Sequence, residues 1–153
     1  MDSFPAIEID KVKAWDFRLA NINTSECLNV AYGVDANYLD GVGVSITSIV
    51  LNNRHINLDF YIIADVYNDG FFQKIAKLAE QNQLRITLYR INTDKLQCLP
   101  CTQVWSRAMY FRLFAFQLLG LTLDRLLYLD ADVVCKGDIS QLLHLGLNGA
   151  VAA

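Results

Sequence analysis

The chain has 153 residues, a length that suits one domain burying about 68–70% of its unfolded surface. Its formal net charge of −3, without any long run of like charge, argues against a nucleic-acid-binding surface, which carries a basic field. Apolar residues make up 54% of the chain, yet no stretch reaches the ~20 consecutive apolar residues of a membrane-spanning helix, and residues 1–5 lack the basic and apolar regions of a secretory signal.

Residues 1–25 are mixed and polar and are read as an N-terminal arm, with 21–25 a turn ahead of a first strand at 27–34. Asp35 to Tyr38 form the loop at that strand's C-terminal end. The spacing of Val42, Ile46, Ile49 and Val50 predicts a helix over 39–51, stopped by Asn52-Asn53. Residues 58–64 are nearly all apolar after Asp59, as in a strand covered on both faces, and 65–70 form its exit loop. Phe71, Ile75, Leu78 and Ala79 then share one side of a helix whose other side carries Gln73, Lys74, Lys77 and Glu80. A strand at 84–91, a helix at 106–119 ended by Gly120, a strand at 125–129 and a short helix at 139–144 complete the order. The β-α-β-α-β-α-β alternation predicts an α/β, Rossmann-like fold with a mostly parallel sheet, whose loops at the strand C-termini carry the site. The apolar run at 150–153, after Asn148-Gly149, reads as a strand cut partway, so the chain is expected to be the N-terminal portion of a longer protein.

Asp130-Ala131-Asp132 is the most informative triplet, because it directly succeeds the apolar run Leu126-Leu127-Tyr128-Leu129. Carboxylates are costly to bury unless paired, hydrogen-bonded or bound to a cation, and the end of an α/β strand is where such sheets bind ligands. Two of them at this point can hold Mn²⁺ or Mg²⁺ through oxygen while the ion keeps positions for phosphate oxygens. The pattern points to nucleotide or phosphate-ester chemistry.

Two other motifs compete with it. Gly41-Val42-Gly43 fails as a dinucleotide fingerprint, since Ile46 holds the third glycine position and the pair sits beyond the tight strand-to-helix turn. Small residues there instead allow close helix packing. Cys98-Leu99-Pro100-Cys101 has the spacing of a thiol-redox site, but such sites place the first cysteine at a helix N-terminus, and the next helix begins several residues later. Cys27 and Cys135 lie in apolar runs and are expected in the core. The four cysteines show no framework spacing and fit reduced thiols of a cytoplasmic protein.

Three separated pieces, Ala31-Tyr32-Gly33-Val34-Asp35-Ala36-Asn37-Tyr38, Tyr110-Phe111-Arg112 and Leu127-Tyr128-Leu129-Asp130-Ala131-Asp132, together resemble glycosyltransferase family 8. Within it the chain looks most like the lipopolysaccharide-core α-1,2-glucosyltransferases and α-1,3-glycosyltransferases of enteric bacteria. The resemblance implies a GT-A fold, with 26–153 the nucleotide-sugar-binding half and the C-terminal acceptor half absent. It implies a retaining, metal-dependent hexosyltransferase that uses UDP-glucose or UDP-galactose and a lipopolysaccharide core acceptor, cytoplasmic or peripheral on the inner membrane. Matched position by position, Gly33, Asp35, Asn37 and Tyr38 surround the uridine, and Arg112 contacts the donor sugar or diphosphate. Asp130 and Asp132 ligate the metal, and Asp130 and Ala131 also lie against the donor. The family has an acid where Ala36 stands. His55 and His144 do not match the family's metal-binding histidine, which belongs to the C-terminal half. An inactive nucleotide-binding remnant, or a thiol-redox protein using Cys98 and Cys101, are the alternatives.

Overall fold

The computed structural model describes residues 7–19, 27–101 and 106–146. The expected turn at 21–25, the Asn148-Gly149 pair and the apolar run at 150–153 lie outside them. Eight regular elements appear in the order β1 (Ile9–Asp16), β2 (Cys27–Val34), α1 (Leu39–Asn52), β3 (Asn57–Ala64), α2 (Asp69–Asn82), β4 (Arg85–Ile91), α3 (Phe111–Leu119) and β5 (Leu127–Leu129). They build a five-stranded sheet ordered β1-β4-β3-β2-β5. The four strands from β2 onward are parallel, as the alternation predicts, and β1 runs antiparallel to β4 at the edge.

Strand β1 stands where the sequence pattern predicts only an arm, and the reason is a bulge. Its pairing with β4 shifts between Lys11 and Lys13, so the residues turned inward are Ile9, Val12 and Trp15, a spacing of three that hides the two-residue strand period. Ile9 therefore packs on one face of the sheet, Val12 and Trp15 on the other.

Alternation along the central strands separates two cores. Val30, Tyr32, Phe60, Ile62, Ile86 and Leu88 face α1 and α2, whereas Ala31, Tyr61, Ile63 and Ile91 face Phe111, Phe114, Ala115 and Leu119 of α3. Helix α1 buries the expected Val42, Ile46, Ile49 and Val50, and α2 buries Phe71, Ile75 and Ala79, with Leu78 at the margin. The Asn68 side chain caps α2 by accepting from the Phe71 amide at 2.8 Å, and Gln83 ends the helix in the left-handed region with φ 55°. The expected third helix begins as a 3₁₀ turn over Arg107–Tyr110 before α3 proper, and the expected helix at 139–144 is a 3₁₀ turn over Ser140–His144. No helix among the described residues is long and apolar enough to cross a membrane.

The opposite end of the sheet holds a buried charge cluster. Asp59, only 4% exposed, accepts from Arg18 Nη1 at 3.1 and 3.2 Å and faces Arg85 Nη1 at 3.5 Å, while Arg18 also binds Asp16. Burial raises the Asp59 carboxyl above its usual range against the opposing pull of Arg18 and Arg85, and the Arg18 hydrogen bonds lower Asp16. The neighbouring Cys27 is half-buried, not enclosed in the core, and burial beside Asp59 pushes its thiol up to about 12.

Candidate functional site

The site forms where β2, α3 and β5 meet at the C-terminal edge of the sheet. Strand β5 pairs with β2 through Val30–Leu127, Ala31–Tyr128 and Tyr32–Leu129, which brings the end of the Gly33-Val34-Asp35 segment beside Asp130. The two chains stay close because Gly33 has no side chain. A Cβ there would lie 2.7 Å from Phe111 Cβ and 2.7 Å from the Tyr128 hydroxyl, which donates to the Gly33 carbonyl at 3.4 Å. Gly33 thus lets α3 and β5 approach β2, a packing role added to its expected place near the uridine.

Asp35 stands at the start of a 3₁₀ turn over Ala36–Tyr38 and accepts from the Asn37 amide at 3.0 Å through Oδ1. That bond fixes the loop and leaves the second carboxylate oxygen without a partner among the described residues. Asn37 is exposed, and so is Tyr38 at 56%, which leaves its ring face open for stacking.

Arg112 on α3 donates through Nη2 to Asp130 Oδ1 at 3.1 Å, and its guanidinium sits 5.4 Å from the centre of the Tyr128 ring. A carboxylate and an aromatic face together hold this planar cation at the edge of the site, with further N–H donors uncommitted. Burial, then the charge of Asp130, raises the Tyr128 hydroxyl above its usual range, so it remains a neutral donor. Tyr128 reads in the sequence merely as a residue of an apolar strand; its part in fixing Arg112 depends on α3 crossing over β5, which no local pattern shows.

Asp130 and Asp132 are both exposed, and the residue between them, Ala131, is buried at 8%. The triplet thus turns its middle side chain into the core and both acids outward, and a bond from the Val133 amide to the Asp130 carbonyl at 3.2 Å closes the turn. The donor set fits Mn²⁺ or Mg²⁺: two hard carboxylates on an open surface suit an ion that retains water and takes phosphate oxygens. No group of three or more His, Cys, Asp or Glu side chains among the described residues is placed to enclose such an ion. His55 and His144 are distant from the pair in role, His55 lying 3.4 Å from Asp138 and His144 ending the last 3₁₀ turn.

The structure does not assemble a thiol site. Cys98 and Cys101 are exposed, Cys98 Sγ donates to the Lys95 carbonyl at 3.3 Å, and α3 begins only at Phe111. Cys135 is half-buried and donates to the Gly137 carbonyl at 3.0 Å.

Comparison with known proteins places the fold and the family of the chain. The lipopolysaccharide 1,2-glucosyltransferase of Escherichia coli is 39% identical over 139 residues, covering 91% of this chain, and the lipopolysaccharide 1,3-galactosyltransferase of Salmonella typhimurium is 38% identical over 130 residues, covering 85%. The chain spans 39% of the length of each of these two relatives. Among solved structures, the galactosyltransferase LgtC in complex with donor and acceptor sugar analogs superposes with a TM-score of 0.64 at 19% identity, over 75% of this chain and 41% of LgtC. The bifunctional WbbM glycosyltransferase gives 0.63 at 22% identity, over 85% of this chain and 23% of its own. These likenesses show a GT-A fold. The model of glycosyl transferase family 8 matches residues 29–153, and the chain belongs to that family.

Proposed function

We propose that this chain is the donor-binding part of a retaining hexosyltransferase that moves glucose or galactose from UDP to a lipopolysaccharide core. The observation that carries the proposal is the junction of the exposed Asp130 and Asp132 with Arg112 and the Asp35–Tyr38 loop at one sheet edge. Loop ends of a parallel sheet are where nucleotides bind, and this edge offers a ring for a base, a fixed carboxylate for ribose hydroxyls and a cation for phosphate oxygens. The names of the relatives supply the sugar and acceptor class. Sugar transfer is assigned to the whole protein, of which the chain spans a part.

Each residue has a physical task in this reading. Tyr38 stacks on the uracil while the free oxygen of Asp35, with Asn37, takes hydrogen bonds from the nucleoside. Gly33, by letting α3 and β5 pack against β2, and Ala131, by anchoring the acidic turn in the core, hold together the backbone segments that border the donor. Arg112, held by Asp130 and the Tyr128 ring, directs its remaining N–H groups to the diphosphate or sugar. Asp130 and Asp132 would hold a divalent ion, which when bound supplies positive charge beside the leaving diphosphate. Because negative charge grows on the diphosphate as its bond to the sugar breaks, groups fixed beforehand around the diphosphate favour departure more than ground-state binding. Peripheral contact with the inner membrane, where a lipid-linked acceptor is met, completes the proposal for the whole protein.

Isothermal titration with UDP, with and without Mn²⁺, tests it. The chain is expected to bind UDP more tightly with the ion, and Asp130→Asn and Asp132→Asn are each expected to remove most of that gain. Both positions are exposed, so stability should change by no more than about 0.5 kcal/mol. Equal UDP affinity with and without Mn²⁺ in the parent chain refutes the metal-bridged donor site.

A further inference from the structure

The acidic turn is placed by more than the strand that precedes it. Strand β5 pairs over only Leu127–Leu129, so the sheet ladder stops before Asp130, and Asp132 has no partner among the described residues. Beyond the turn the chain runs along α1. A Cβ on Gly41 would lie 3.0 Å from the Ala131 carbonyl oxygen, so helix and turn are in close contact there. Further along, Ser48 Oγ accepts from the Cys135 amide at 2.9 Å and Asn52 Nδ2 donates to the Cys135 carbonyl at 3.1 Å. At the helix end Asn53, with 0% exposure, donates to the Gly137 carbonyl at 3.2 Å and accepts from the Ile139 amide at 2.8 Å. The segment from Ala131 to Ile139 is thus strapped to α1 from Gly41 to Asn53, about 18 Å of helix at the usual rise.

We infer that Ser48, Asn52 and Asn53 are positioning residues for Asp130 and Asp132, acting through this strap. The inference rests on the donor-site reading above. Asp132 lies between two anchors, Ala131 against Gly41 and Cys135 on Ser48 and Asn52. Without the second anchor the Asp132 backbone is held from one side alone, and the separation of the two carboxylates becomes a matter of loop entropy. Mn²⁺ and Mg²⁺ tolerate little spread in ligand geometry, so that freedom lowers ion affinity. Buried Asn53 also has to make these bonds to avoid leaving its amide unsatisfied, which ties the strap's position to the stability of the helix end.

The test compares Ser48→Ala, Asn52→Ala and the double variant with Thr47→Ala in the 153-residue chain. Thr47 is the control because its hydroxyl bonds the Gly43 carbonyl of the same helix at 2.7 Å and does not touch the strap. UDP is titrated with and without Mn²⁺, and amide hydrogen exchange is measured over 130–139 without ligand. The double variant should lose about tenfold in Mn²⁺-dependent UDP affinity, as supporting partners of metal ligands typically do. Its affinity for UDP alone should match the parent's, and exchange should quicken at 133–135. Ser48→Thr, which keeps a hydroxyl where Ser48→Ala removes it, should bind as the parent does, and so should Thr47→Ala. Should the double variant fail to fold, the exposed Asn52→Ala alone should show a smaller loss in the same direction. A folded strap variant with unchanged Mn²⁺ dependence overturns the inference. A parent chain without Mn²⁺ dependence overturns the donor-site reading itself, and the positioning role with it.

Discussion

Gly33→Ala should be a damaging substitution, because the glycine sits where α3 and β5 close on β2. The added Cβ meets Phe111 Cβ and the Tyr128 hydroxyl at 2.7 Å, and the Phe111 backbone carbon at 3.3 Å. Carbon atoms pack at about 3.5–4.0 Å, so the helix has to retreat by about 1 Å. The tyrosine can swing, but Phe111 Cβ is fixed to the helix, and Phe111 is 1% exposed within a filled core. Overpacking of this kind costs about 1–3 kcal/mol. With a urea dependence of about 2 kcal/mol per molar, a loss of about 2 kcal/mol lowers the unfolding midpoint by about 1 M. The same retreat carries Arg112 away from Asp130, so UDP affinity should fall further than stability explains. Gly43→Ala supplies the comparison: nothing lies within 4 Å of its added Cβ, and a helix interior gains about 0.5–1 kcal/mol from the exchange. Urea unfolding monitored by circular dichroism, beside UDP titration, measures both. If Gly33→Ala is as stable as Gly43→Ala, close approach is not the reason for glycine at position 33.

Asp59→Ala removes the buried partner of Arg18 and should cost about 3 kcal/mol, the lower end for a broken buried pair because Asp16 still holds Arg18. Asp59→Asn should cost less and should change the pH response. A carboxyl raised in the folded state contributes stability that is full below its unfolded value near about 3.9 and is lost as pH rises through the folded value, so the parent's advantage over Asp59→Asn should shrink as pH climbs through that window. Urea midpoints across the window check the sign; a growing advantage contradicts it. Replacing Cys98 and Cys101 by Ser should leave UDP binding and the unfolding midpoint unchanged, and loss of either on thermal or calorimetric measurement returns weight to the thiol reading.

Elements whose pattern is local were legible in the sequence. The apolar stripe of α1 and the near-continuous apolar run of β3 specify their elements without help from the rest of the chain, and the strand-then-acids pattern of Leu127 to Asp132 places two exposed acids directly after a short strand. Strand β1 escaped because its bulge breaks the alternation on which strand detection depends. The Asp59–Arg18 cluster escaped because its members are 41 residues apart and each has an ordinary neighbourhood in sequence. Asn53 was legible only as a helix stop. Its hydrogen bonds to Gly137 and Ile139 depend on the return of the chain after β5, and nothing near position 53 announces that return.

Aspartates at the two ends of the sheet show how one side chain serves opposite purposes. Asp59 is enclosed and its two oxygens are taken by Arg18 and Arg85, so its interactions are complete within the fold and it offers nothing to a ligand. Asp130 lies in solvent and commits one oxygen to one arginine, while Asp132 commits none to any described residue. An exposed ion pair such as Arg112–Asp130 contributes about 0–1 kcal/mol to stability, too little to account for holding two charges in one orientation. The same arrangement does have a use if a third charge arrives: a diphosphate satisfies the arginine and a cation satisfies the carboxylates, each drawn into a place already shaped by Tyr128, Gly33 and the strap on α1. Asp59 is used up within the fold, whereas the proposed donor site gives Asp130 and Asp132 a use that stability does not.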